Sequence, residues 1–159
     1  MAIAGGIGTR VYIAPAVSET ARDPSGYVSM TWTEIGNVES VGEFGTEAAT
    51  VNFTPLATGL TRQLKGARNP GGITINCAND PLDTGQLAAI TAAGTNSLYP
   101  LKIVDADGAD ANDTDSTVYI GVRVLSAKKN SGQTGAVNMR AINCVIDTPV
   151  YEDPSEAVS

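Results

Sequence analysis

Four β-branched residues at strict two-residue spacing, Val118, Ile120, Val122 and Val124, constrain this chain more than any other feature. Successive side chains of a strand point to opposite faces, so this spacing puts all four on one side. Tyr119, Arg123 and Leu125 fall on the other side, which is mixed rather than purely solvated. Further runs have the same period. Residues 9–14 alternate well enough for a first strand. Ile73, Ile75 and Cys77 alternate with Thr74 and Asn76, a clean half-buried pattern. Tyr99, Leu101 and Ile103 share a face, and so do Ile142, Cys144 and Ile146 before Pro149 ends the pattern. A strand through Ile35 is followed by the turn-prone pair Gly36-Asn37. Between residues 38 and 44 the period falters: Val38 and Phe44 share one face and Val41 takes the other, which a β-bulge would explain.

One helix is expected after residue 78. Asp80 can cap it, Pro81 suits its first position, and Asp83 lies where the helix dipole favours an acid. Leu87 and Ile90 are one turn apart, with Ala88, Ala89, Ala92 and Ala93 filling in, and form the narrow stripe expected to pack on the sheet. Gly94 ends the helix. The sum is about seven strands and one helix. The expected fold is mainly β: a β-sandwich or partly closed barrel with one flanking α-helix and a long extended arm between strands.

That arm spans about residues 42–72 and has no evident core of its own. A short strand with Val51 and Phe53 on one face interrupts it. Glu39, Glu43 and Glu47 precede or open the arm without a base among them, and Arg62, Lys65 and Arg68 close it without an acid. This polarity suggests an arm that reaches another copy of the same protein, acid to base, with a solvated loop as the alternative reading of Arg62, Lys65 and Arg68. Glu43, Glu47, Arg62, Lys65 and Arg68 are its expected contact residues.

The expected organisation is a flexible leader at residues 1–8, one domain at 9–151 and an acidic mobile tail at 152–159. A chain of 159 residues is long enough to bury a real core. Charged residues make up 17%, fewer than the roughly 25% usual in globular chains. Such a surface suits contact with other protein. The net charge of -7 argues against a nucleic-acid-binding face, since that affinity comes largely from Lys and Arg. No apolar run is long enough for a membrane helix, and the N-terminus lacks the pattern of a signal peptide, so synthesis in the cytoplasm is expected. Cys77 and Cys144 each sit in an apolar strand pattern, which reads as two buried thiols, with a disulfide left as the alternative.

Candidate chemical sites fare poorly. The chain has no histidine, which removes His-based triads and the commonest general base. Residues 105–115 are rich in Asp but place Gly108 fourth and lack the closing glutamate of a calcium loop, so a solvated acidic hairpin loop is the better reading. Gly5-Gly6-Ile7-Gly8 neither follows a strand nor opens a helix, as a phosphate-cradling loop must. Glu34, Glu39 and Glu43 have no clustered partners and read as surface or lining charges. No catalytic, cofactor-binding or metal-binding residue is assigned, and an enzyme is not expected.

The order of elements resembles the major tail protein, or tail tube protein, of long-tailed phages, of the lambda-like type. Four stretches carry the resemblance. They are Trp32-Thr33-Glu34-Ile35-Gly36-Asn37-Val38 ahead of the arm, and Gln63-Leu64-Lys65-Gly66 ahead of Ile73-Thr74-Ile75-Asn76. Then come Gly85-Gln86-Leu87-Ala88-Ala89-Ile90 with Tyr99-Pro100-Leu101-Lys102-Ile103, and the closing hairpin from Tyr119-Ile120-Gly121-Val122 to Ala141-Ile142-Asn143-Cys144. The match covers roughly residues 30–151 by element order. It implies a virion structural protein that assembles as hexameric rings, stacked into a tail tube through which DNA is ejected. It further implies an arm crossing to the neighbouring ring and an acidic lumen that DNA passes without binding. Glu39 and Glu43 are the expected lumen-lining residues. Tape measure, tail tip and tail terminator proteins are the implied partners, and the virion tail the implied location. Two alternatives stand beside it: a ring protein of the type VI secretion tube, and a monomeric carbohydrate- or cell-surface-binding β-sandwich module.

Overall fold

The computed structural model describes residues 7–16, 30–106, 115–130, 132 and 134–153. Most of the Gly-rich leader, the middle of the acidic loop at residues 107–114 and the tail beyond Asp153 lie outside them.

Among the described residues are ten strands and one helix: β1 (Arg10–Ile13), β2 (Thr33–Ile35), β3 (Val38–Val41), β4 (Glu47–Phe53), β5 (Arg62–Asn69), β6 (Gly72–Ala78), α1 (Thr84–Ala93), β7 (Tyr99–Val104), β8 (Thr117–Asn130), β9 (Met139–Ile146) and β10 (Tyr151–Asp153). Eight strands form one sheet in the order β2-β1-β7-β8-β9-β6-β3, with β10 added on β8. β4 and β5 form a separate pair. All pairings are antiparallel.

β8 joins the two halves of the sandwich. Its first half pairs with β7 from Thr117 to Val122, and its second half pairs with β9 from Val122 onward. A register shift between Val124 and Ser126 leaves Leu125 as the extra residue, and Leu125 is exposed. The bulge lets one long strand bend from one sheet layer into the other. The layers are not closed into a barrel: β2 and β3 are the two ends of the order, linked only through the Gly36-Asn37 turn. Asn37 takes φ +58 there, a conformation Asn tolerates better than most residues.

The alternating runs form the core. Val118, Ile120, Val122 and Val124 are buried, as are Ile73, Ile75, Cys77, Leu101, Ile103, Ile142, Cys144 and Ile146. Each such aliphatic side chain contributes about 1.5–3 kcal/mol of burial. Val38, Val41 and Phe44 all pack against this core. The faltering period between them has the expected cause, a register shift between Val38 and Ser40 that leaves Glu39 as the bulge residue.

Several expected details change. The helix begins later: its N-cap is Asp83, whose side chain accepts from the Gln86 N–H, and Asp80 belongs to the turn before it. Its buried residues are Gly85, Gln86, Ala89 and Ala92, whereas Leu87 and Ile90, expected to pack inward, are exposed. Close approach decides this. A Cβ on Gly85 would overlap the Glu34 carbonyl oxygen, so only small residues let the helix lie so near β2. β8 runs on through Lys128 and Lys129 to Asn130. Glu152 and Asp153, expected in a mobile tail, pair with β8 in β10. The cysteines are free and buried; Cys77 faces Arg140 in the β6–β9 register while Cys144 faces Ile73, too far along the strands for a disulfide.

Candidate assembly surface

The arm is a β-hairpin, not the mostly structureless loop its sequence suggests. Backbone N–H and C=O groups seek partners, and here the two halves of the arm supply them to each other. Phe53 pairs with Arg62, Val51 with Leu64, Thr50 with Lys65, and Glu47 with Asn69. The hairpin pairs with no strand of the larger sheet.

Its register sorts the side chains. Directly paired residues share a face, so Val51, Phe53, Leu64 and Arg62 lie on one side. Lys65 and Arg68, three apart, would normally face opposite ways. The register shift between Ala48 and Thr50 adds a residue to β5 and brings both to the second face. Together with Thr46 and Ala48 they line a hollow of about 270 Å³. Gly66 sits at the bulge, where a Cβ would press on Val51 and the Ala49 carbonyl.

The five expected contact residues are all exposed. Glu43 and Glu47 line a groove of about 650 Å³ at the base of the hairpin, beside Gly45 and Gly71. The structure thus places the two acids at the base and the three bases along β5, and divides the bases between two faces. None of the five forms an ion pair with another described residue. The apolar face, with Val51 49%, Phe53 56% and Leu64 52% exposed, is the component the charge pattern hid. Alternation of Val51 with Phe53 was its one signal in the sequence.

Glu39 and Glu43, expected to line a lumen, are exposed on and just after β3, a strand paired on one edge only. Beside them runs an uncharged ladder: Asn76 donates to Ser40 at 3.2 Å, Thr74 to Asn143 at 2.9 Å, and Asn143 to Ser126 at 3.1 Å. A second hollow, about 350 Å³, opens between β3 and β7 and is lined by Val41, Phe44, Glu39 and Asp105. The described residues include no group of three potential metal ligands. No helix among them is long and apolar enough to cross a membrane.

Four aromatic residues gather on the opposite layer. Tyr12, Lys102, Tyr119 and Tyr151 are successive cross-strand neighbours, and Trp32 lies 6.0 Å from Tyr119. The Lys102 ammonium stands 4.4 Å above the Tyr12 ring and 5.1 Å from the Trp32 ring centre. Burial lowers its pKa. Lys102 thus covers one face of the Tyr12 ring.

No protein-family model matches the sequence, and no curated protein matches it. Solved structures do. A chain of the SPP1 tail tube superposes with a TM-score of 0.63 at 12% identity, covering 94% of this chain and 78% of that one. The tail of a GTA particle, solved with C6 symmetry, gives 0.61 at 15% identity, covering 95% and 99%. The chain has the tail tube fold. A chain of the PVC sheath–tube complex, from an extracellular contractile injection system, gives 0.57 at 14% identity, covering 91% and 88%. These matches cover 91–95% of this chain, and the charged hairpin stands apart from its larger sheet.

Proposed function

We propose that this protein is a structural subunit of a phage tail tube, assembling as hexameric rings that stack into a conduit for DNA. The observation that carries the reading is the match of almost the whole chain to subunits of tubular assemblies. The sixfold symmetry is that of the GTA tail. The chain works as a building block and not as an enzyme. Strand edges left open on β2 and β3 find partners in neighbouring subunits, which removes an aggregation liability of the monomer.

In this reading the hairpin is the inter-subunit arm. Arg62, Lys65 and Arg68 meet carboxylates of a neighbouring copy, and Glu43 and Glu47 offer the reciprocal charges. Rim pairs of this kind set register and specificity more than affinity. Glu39 and Glu43 face the lumen, where an acidic wall and a neutral hydroxyl–amide ladder let DNA pass without adhering. Tape measure, tail tip and tail terminator proteins complete the tail, and the protein resides in the virion. Its likeness to the injection-system chain keeps a secretion-type tube as the second reading.

Negative-stain electron microscopy over a range of protein concentrations tests this. Stacked sixfold rings or hollow tubes are expected. A protein that stays monomeric at every concentration, and is absent from purified virions, would overturn the reading.

A further inference from the structure

α1 carries no charged residue, and beside Thr84 and Thr91 its exposed side shows large apolar side chains. Gly85, Ala89 and Ala92 are buried against the sheet, yet Leu87 is 46% and Ile90 38% exposed, and Leu82 just before the helix is 86% exposed. Clustered exposed apolar side chains mark a surface that other protein commonly covers. The β4–β5 hairpin has the same deficit, because Val51, Phe53 and Leu64 share an uncovered face. A lone two-stranded hairpin is marginally stable in water and gains from a surface to lie on.

Charge pairs these two surfaces. Residues 79–98 contain Asp80 and Asp83 and not one Lys or Arg. The last turn of α1 holds no base of its own, and Arg123 from β8 donates to the Asn96 carbonyl just past it. The apolar face of the hairpin carries Arg62 beside Phe53. We infer that the Val51–Phe53–Leu64 face of one copy's hairpin seats on the exposed Leu87–Ile90 pair of α1 in a neighbouring copy, with Arg62 directed at the Asp80–Asp83 end of that helix. Patch and stripe are different surfaces, so the contact is head-to-tail. Such contacts either close into rings or propagate along an axis, the two operations a stacked tube requires. This inference rests on the tube reading above and names the surface that receives the arm.

Cross-linking tests it in assembled protein. Cys77 and Cys144 are buried, so introduced cysteines dominate the reaction with a short bismaleimide. Phe53→Cys combined with Leu87→Cys is expected to give a ladder of covalent multimers from tubes, absent from either single variant. Leu64→Cys with Ile90→Cys gives an independent reading of the same contact. Tubes that form normally while neither pair cross-links would overturn the helix as receptor and leave the tube reading standing. A ladder from Phe53→Cys with Val41→Cys would overturn it too, by placing the arm in the hollow beside β3. Wild-type protein that makes no tube would instead remove the reading on which the inference rests.

Discussion

The Gln86 side-chain amide donates to the Gly36 carbonyl at 3.0 Å, tying the first turn of α1 to the turn between the two edge strands of the sheet. The same amide donates to Ala78 at 2.8 Å, and its oxygen accepts from Asp80 N–H at 3.0 Å. Asp83 completes the knot by accepting from the Gly36 and Gln86 amides. Gln86 is 1% exposed, and all three of its hydrogen bonds go to backbone groups.

Gln86→Leu is expected to destabilise the monomer by about 2–4 kcal/mol, since three partners lose a bond and some stay buried. Urea denaturation measures it. A loss under about 0.5 kcal/mol, the range of ordinary surface changes, would mean that water replaces the amide at no cost.

Gly85→Ala should be at least as harmful, although Ala is the better helix former by about 1 kcal/mol. The new methyl would overlap the Glu34 carbonyl oxygen, so α1 has to move away from β2. A thermal melt that rises for this variant would show that the helix can shift freely.

Burial pushes the Cys144 thiol from 9.0 up to about 12. The folded state therefore keeps its proton where the unfolded state has lost it. The sign follows: stability from this group is intact below pH about 9 and falls as pH rises toward about 12. In Cys144→Ala the slope of stability against pH in that window should be shallower, whatever the variant's stability at neutral pH. Identical slopes would show that Cys144 contributes nothing to the alkaline loss.

Changing Arg62, Lys65 and Arg68 together to Glu should leave the monomer's melting temperature nearly unchanged, because all three are exposed and make no ion pair with other described residues. Tube growth, followed by light scattering and microscopy, should be impaired. Normal tubes from the triple variant would remove the acid-to-base docking of the arm.

The sandwich was legible because its core strands announce themselves. Val118 to Val124 and Ile73 to Cys77 alternate without interruption, and burial of one face enforces that pattern. The arm was legible as a polarised segment but not as a hairpin, because neither of its faces is buried within the monomer and no clean period was enforced. Its bulge, which sets Lys65 and Arg68 side by side, leaves no mark stronger than Gly66.

The sequence by itself determined which residues can be inside, that the fold is mainly β with a flanking helix, and that one segment carries acids and then bases. Only the tertiary structure decided which way α1 faces. Periodicity favoured Leu87 and Ile90 as the buried stripe, yet the carbonyl of Glu34 leaves room for nothing larger than Gly85. Steric fit at a close backbone contact outweighs the burial of two larger side chains. Overlap rises steeply with each tenth of an ångström, whereas hydrophobic gain grows only in proportion to area.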